Sequence, residues 1–101
     1  MKPETRIVQA CLKWLKLNGG DGFHVSGSIK QRKGEPDITG EYYDDVIGWI
    51  HIKIEVKTET GVLSPLQIYR LETYSKSGYC TGVVTSLSEF KQCIQEYIDA
   101  T

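Results

Sequence analysis

The segment Ile50-His51-Ile52-Lys53-Ile54-Glu55-Val56-Lys57 alternates apolar and polar residues without a break. Successive side chains of a β-strand point to opposite faces, so this pattern predicts a strand with one aliphatic and one polar face. We predict that this strand begins at Val46 and pairs as a hairpin with a preceding strand over residues 36–43. Asp44-Asp45 is the predicted turn, and Pro36 is acceptable as the first residue of a strand.

Helical patterns lie on both sides of this hairpin. Residues 7–15 place apolar side chains at helical spacing, and Asn18-Gly19-Gly20 is predicted to end that helix. A second helix is predicted to begin after Ser64, a good capping residue that is followed by proline and, three positions later, by Gln67. This helix is predicted to extend to about Lys76.

The remaining segments complete the predicted fold. Residues 79–85 are predicted as a strand, residues 86–89 as a second capping box, and residues 90–98 as an amphipathic helix. A short strand over 23–27 and a polar, basic loop over 28–35 are predicted near the N-terminus. The order α-β-β-β-α-β-α predicts an α/β fold with a mixed sheet flanked by helices and one right-handed crossover.

The composition is that of an ordinary globular protein. The chain has 101 residues, 40% of them hydrophobic and 25% charged, so we expect residues 1–101 to form one domain. No apolar run is long enough to span a bilayer, and the N-terminal residues do not form a secretory signal. The three cysteines show no CxxC spacing, which favours reduced thiols and a cytoplasmic location. Membrane proteins, disulfide miniproteins, zinc ribbons and disordered tails are therefore excluded.

Charge is unevenly distributed along the chain. Residues 1–33 carry seven basic and two acidic side chains, whereas residues 34–60 carry seven acidic and two basic ones. The basic region could bind a polyanion, and the acidic region could bind a cation next to it. The distribution is also compatible with an ordinary mixed surface.

Three charged residues form a candidate catalytic group. Glu55 and Lys57 lie two apart on one face of the predicted strand, and Asp37 lies on its predicted hairpin partner. Carboxylates that converge repel one another unless a cation lies between them, and a hard divalent ion prefers such oxygen ligands. A divalent ion with a neighbouring ammonium group is suited to phosphodiester hydrolysis. The alternative is that these side chains simply face solvent.

The sequence around these residues resembles a known nuclease family. The stretches Gly34–Gly40, Ile52–Gln67 and Gly78–Phe90 are similar to the VRR-NUC family, the virus-type replication-repair nucleases of the PD-(D/E)xK superfamily. The similarity covers nearly the whole chain and implies a restriction-endonuclease-like fold. It also suggests a stand-alone member encoded by a phage or virus, which would act in the host cell cytoplasm.

The resemblance implies a role for each residue at a motif position. Asp37, Glu55 and the backbone carbonyl of Val56 match the metal ligands, and Lys57 matches the catalytic lysine. Gln67 matches a glutamine beside the site, although the capping box explains it equally well. The implied cofactor is Mg²⁺ or Mn²⁺.

Further residues are candidates for the site and for nucleic-acid binding. Glu4 matches an acidic residue that can lean over the metals from the first helix, where helix electrostatics also favours glutamate. The candidates for phosphate contacts are Ser28, Lys30, Arg32, Lys33 and Arg70.

The predicted function is a Mg²⁺- or Mn²⁺-dependent DNA endonuclease that leaves a 5′-phosphate and a 3′-hydroxyl. A homodimer acting on four-way (Holliday) junctions is expected, because two symmetric sites match a two-fold substrate. A flap- or fork-directed nuclease and an RNA nuclease are the alternatives within the enzyme class. A catalytically weak DNA-binding or assembly module on the same fold is the alternative outside it.

Overall fold

A computed structural model describes residues 2–25 and 32–101. It contains three helices and four strands: α1 (Pro3–Leu17), β1 (Asp21–His24), β2 (Ile38–Asp44), β3 (Gly48–Val56), α2 (Pro65–Lys76), β4 (Cys80–Val84) and α3 (Leu87–Asp99). This order confirms the predicted α-β-β-β-α-β-α arrangement. None of the helices in the described parts of the chain has the length and apolar character needed to cross a membrane.

The four strands form one mixed sheet in the order β1-β2-β3-β4. β1, β2 and β3 pair antiparallel, and β4 pairs parallel to β3 after the crossover through α2. The predicted hairpin is confirmed, with Ile38 opposite Ile54. β2 begins two residues later and ends one residue later than predicted. β3 begins at Gly48 rather than Val46, because the Asp44 carboxylate accepts the N–H groups of Val46 and Ile47 and thereby extends the turn.

The aliphatic face of β3 forms the centre of the core. Ile52, Ile54 and Val56 are fully buried on this face, as the alternation predicted. α1 and α3 cover the same face with the buried residues Val8, Cys11, Leu15, Phe90 and Ile94. α2 lies against the opposite, polar face, where the Tyr74 ring is 4.7 Å from Lys53 Nζ. Glu55, two residues from Lys53, therefore lies on the face of the sheet against which α2 packs.

Two further predictions need correction. β1 begins at Asp21 rather than Phe23, and residues 26–27 of the predicted strand lie outside the described residues. The second capping box forms only in part: Ser86 Oγ accepts the N–H of Glu89, but the Glu89 carboxylate accepts from Thr85 instead of Ser86. The carboxylate therefore stabilises the turn one residue before the cap.

Candidate active site

Asp37 and Glu55 meet at the end of the β2–β3 hairpin. Ile38 lies opposite Ile54, so the preceding Asp37 lies opposite the following Glu55 and on the same face of the sheet. Asp37 Oδ2 accepts the backbone N–H of Val56 at 2.8 Å. This bond follows the last backbone pairing of β2 with β3 and takes the place of a further backbone hydrogen bond between them. It holds the carboxylate of Asp37 beside Glu55.

Glu55 is the one polar or charged side chain among the buried residues that the structure describes. Its exposed fraction is 2%, and its Oε2 atom has no hydrogen-bond partner. Burial, followed by the hydrogen bond and negative charge of Asp37, raises the pKa of Glu55 to about 9, against the opposing charge of Lys57. Strongly shifted carboxyl groups of this kind are concentrated in functional sites.

Lys57 lies directly after β3 on the same face as Glu55. Its backbone N–H donates to the Val84 carbonyl at 3.0 Å, which extends the parallel pairing of β3 with β4. A turn closed by the Gly61 N–H and the Thr58 carbonyl follows. A Cβ atom on Gly61 would lie 3.2 Å from Cδ of Lys57, so glycine at this position leaves room for the lysine side chain.

Gln67 forms the predicted capping box at the start of α2. Its Oε1 atom accepts the N–H of Ser64 at 2.8 Å, and its own N–H donates to Ser64 Oγ at 3.1 Å. The structural role of Gln67 is therefore confirmed. A contact between Gln67 and the metal site stays a prediction.

The acidic residues present fit a hydrated divalent cation. In residues 2–25 and 32–101, no three His, Cys, Asp or Glu side chains gather into a metal-binding cluster, so the structure does not bring Glu4 together with Asp37 and Glu55. Glu4 lies in the first turn of α1. Mg²⁺ often takes one or two protein carboxylates and keeps several waters. The Oε2 atom of Glu55, which has no hydrogen-bond partner, is an available ligand for such an ion.

The predicted phosphate-binding residues divide into two groups. Ser28 and Lys30 lie outside the described residues. Arg32 donates from Nε to Glu35 Oε1 at 2.9 Å, and Arg70 donates from Nε to the Lys33 carbonyl at 3.3 Å. Arg70 belongs to α2, and Arg32 also donates to the hydroxyl of Tyr74 on the same helix. The basic segment before Asp37 is therefore connected to α2, on the same side of the sheet as the two carboxylates.

Sequence reasoning missed Glu35, Tyr74 and Lys53 as residues near the site. Tyr74 donates its hydroxyl proton to Glu35 Oε2 at 2.7 Å, and Lys53 Nζ donates to Thr39 Oγ1 at 3.0 Å. Burial alone would raise the pKa of Glu35, but the bonds from Tyr74 and Arg32 outweigh it and lower the pKa. The alternation of β3 placed Lys53 on the correct face, whereas no local pattern connects Tyr74 with a residue 39 positions away.

Comparisons with known proteins identify the fold. No protein-family model and no curated protein matches the sequence. One solved structure, described as "VRR_NUC domain", matches with a TM-score of 0.75 and 24% identity over 96% of this chain and 99% of its own. Another, described as "VRR_NUC domain protein", matches with a TM-score of 0.67 and 21% identity over 98% and 90% of the two chains. The chain therefore has the nuclease-type fold of VRR-NUC domains, as its motifs predicted.

Proposed function

We propose that residues 1–101 form a single VRR-NUC nuclease domain that hydrolyses DNA phosphodiester bonds with Mg²⁺ or Mn²⁺. The observation that carries this proposal is the pair of facing carboxyl groups, Asp37 and Glu55, one of which is buried with an unpartnered oxygen. Burial of an acid in this state costs stability, and a purely structural sheet position would be filled better by an apolar residue.

Asp37, Glu55 and the backbone carbonyl of Val56 would hold the cation. A bound divalent ion polarises a phosphoryl oxygen and lowers the pKa of a coordinated water. Asp37 is oriented for this role by the Val56 N–H, and Glu55 must give up the proton that its raised pKa retains. The N–H and C=O of one strand residue point the same way, so the Val56 carbonyl faces the same edge as Asp37.

Lys57 supplies the cationic group beside the two carboxylates. We propose that its ammonium orients the attacking water and stabilises negative charge on the phosphate during the reaction. The hydrogen bond from its backbone to Val84 fixes the start of this side chain. The proposed products are a 5′-phosphate and a 3′-hydroxyl.

The proposed DNA contacts come from the segment before Asp37 and from α2. Arg32, Lys33 and Arg70 supply cationic groups on the side of the sheet that carries the site. We also propose phosphate contacts for Ser28 and Lys30, which lie outside the described residues. Phosphate contacts of this kind position a nucleic acid without reading its sequence. A phage- or virus-encoded protein of this kind would act in the host cytoplasm.

We further propose that the domain acts as a homodimer on four-way junctions, and that it functions in DNA repair. One site per chain cuts one strand, so two symmetric sites would be required for a two-fold branched substrate. Flap, fork or RNA cleavage remains the alternative among enzymes. A non-catalytic DNA-binding module is disfavoured, because such a module gains nothing from a buried carboxyl group next to a second one.

The test is a cleavage panel with duplex, splayed, flap and four-way DNA in Mg²⁺, in Mn²⁺ and in EDTA. Cleavage is expected only with a metal ion, and Asp37→Asn and Lys57→Ala are each expected to lower kcat by about 100-fold or more, the usual contribution of one such group. Lys91→Ala, on the exposed side of α3, is the control and should cut like the wild type. Equal cleavage by wild type, Asp37→Asn and Lys57→Ala would refute the proposed site.

A further inference from the structure

We propose that Glu35 is a positioning residue, which holds the guanidinium groups of Arg32 and Arg70 ready for a DNA phosphate that flanks the scissile one. This inference rests on the proposed nuclease function. It assigns a role in substrate binding to a carboxylate that repels DNA by its charge alone.

Glu35 lies at the centre of a closed group of hydrogen bonds. Its side chain is only 12% exposed, and both of its oxygens have partners. Oε1 accepts from Arg32 Nε at 2.9 Å, and Oε2 accepts from the Tyr74 hydroxyl at 2.7 Å. The Tyr74 oxygen in turn accepts from Arg32 Nη2 at 3.0 Å, which closes the ring. Three side chains therefore restrict one another.

This ring fixes Arg32 in one orientation while leaving the arginine accessible. The Arg32 side chain is 62% exposed, although it makes these bonds. The contacts described for it use Nε and Nη2, and a guanidinium group has two further N–H bonds on Nη1. Because the planar group is already oriented, less side-chain entropy is lost when it donates to a phosphate.

Arg70 lies near the same carboxylate oxygen that Arg32 contacts. Its Nε atom lies 4.0 Å from Glu35 Oε1 and donates to the Lys33 carbonyl. Lys53 also contributes a positive charge that acts on Glu35. One carboxylate is thus surrounded by several cationic groups, so the surface here attracts a polyanion despite its presence.

The location of Glu35 suggests which phosphate is bound. Glu35 precedes Asp37 by two residues, which corresponds to about 7 Å of extended chain. The residue between them, Pro36, is buried and fixes the path of the backbone. We therefore propose that the guanidinium groups bind a neighbouring phosphate of the same strand, beside the one held at the metal ligands.

The charge and the positioning role of Glu35 predict opposite outcomes for Glu35→Gln. If the carboxylate only repels DNA, its neutralisation strengthens binding. If it positions Arg32 and Arg70, its neutralisation weakens binding, because the charge-assisted bond that orients Arg32 and the attraction that holds Arg70 nearby are both weakened. The sign of the change therefore decides between the two roles.

The experiment measures KM and kcat of the full chain on a DNA substrate that the wild type cuts, with Mg²⁺ at a fixed salt concentration. For Glu35→Gln we expect KM to rise about fivefold to tenfold, the loss of roughly one charge-assisted hydrogen bond, and kcat to stay within about twofold. Tyr74→Phe should change KM in the same direction by a smaller factor. Glu72→Gln, which neutralises an exposed carboxylate on α2, is the matched control and should leave KM unchanged or lower it slightly.

A KM for Glu35→Gln that is equal to or below the wild-type value overturns the inference. If Glu35→Gln does not fold, Tyr74→Phe decides in the same way, since it removes two bonds of the ring without a change of charge. A wild type that neither binds nor cuts DNA refutes the proposed function itself. A wild type that cuts DNA while both variants keep its KM refutes only the role of Glu35.

Discussion

Glu55 is proposed to bind the metal ion, and its burial lowers the stability of the folded chain. The ordinary pKa of its side chain is 4.5, and in the folded chain the pKa is raised to about 9. Below pH 4.5 the group is protonated in both the folded and the unfolded chain, so its ionisation does not change the free energy of unfolding. Between pH 4.5 and about 9 only the folded chain keeps the proton, so this group lowers the stability as the pH rises.

We therefore predict that Glu55→Gln stabilises the metal-free protein at alkaline pH. In EDTA at pH 8, its unfolding midpoint should exceed the wild-type value by about 5 °C or more, which corresponds to roughly 1 kcal/mol for a domain of this size. The gain should disappear near pH 4. Thermal unfolding monitored by circular dichroism across this pH range measures both effects.

The same variant should respond differently to metal. Mg²⁺ is expected to raise the unfolding midpoint of the wild type, because a ligand that binds only the folded state stabilises it. It should leave Glu55→Gln nearly unchanged. A gain that is independent of pH, or an equal response of both proteins to Mg²⁺, would contradict the interpretation of Glu55 as a metal ligand.

At the scale of elements, the start of α2 depends on its two capping residues. Ser64 and Gln67 satisfy each other's backbone N–H groups at the first turn of the helix. Ser64→Ala and Gln67→Ala each remove one of these bonds, so each should lower the free energy of unfolding by about 1 kcal/mol, as capping residues usually do. Urea unfolding monitored by tryptophan fluorescence measures this loss.

The activity of the two capping variants separates the roles of Gln67. If Gln67 acts only as a cap, both variants cut DNA at the wild-type rate at a temperature where both are folded. If Gln67 also contacts the metal site, only Gln67→Ala loses activity. Ser64→Ala is therefore the internal control for the effect of helix stability.

Much of this arrangement was predictable because the signals are local. The alternation over residues 50–57 gave the strand and its buried face, and Ser64 and Gln67 gave the start of α2. Strand ends were less predictable, since the side chain of Asp44 extends the hairpin turn beyond Asp45. Glu89 is a second example, because its carboxylate can accept either the Ser86 N–H, as in a capping box, or the Thr85 N–H, as observed. The sequence does not distinguish these two bonds.

The residues of the candidate site can be named from the sequence, whereas the contacts that the structure gives them cannot. Asp37, Glu55 and Lys57 follow from residue type, spacing and the resemblance to a nuclease family. The register that places Asp37 opposite Glu55 depends on the turn geometry, which no spacing rule supplies. The bond between Tyr74 and Glu35 depends on the position of α2 on the sheet, and therefore on the whole fold.

At the scale of the whole molecule, the proposed homodimer can be tested directly. The chain has a mass of 11.4 kDa and contains one candidate site in its described residues. Sedimentation analysis at micromolar concentration is expected to give twice that mass for the free protein and two chains per junction when four-way DNA is added. A monomer under both conditions would remove the main support for junction cleavage and leave flap or fork cutting as the better proposal.

The parallel pairing of β4 with β3 has a consequence for biosynthesis. The Lys57 backbone is fixed by the carbonyl of Val84, a residue made 27 positions later, so the candidate centre is incomplete until Val84 has left the ribosome. Asp37 and Glu55 belong to a hairpin that can form earlier, since its contacts are local. A nascent polypeptide would thus gather the carboxylates first and place the lysine last. In a cell, this order would withhold the proposed nuclease activity from incompletely synthesised chains.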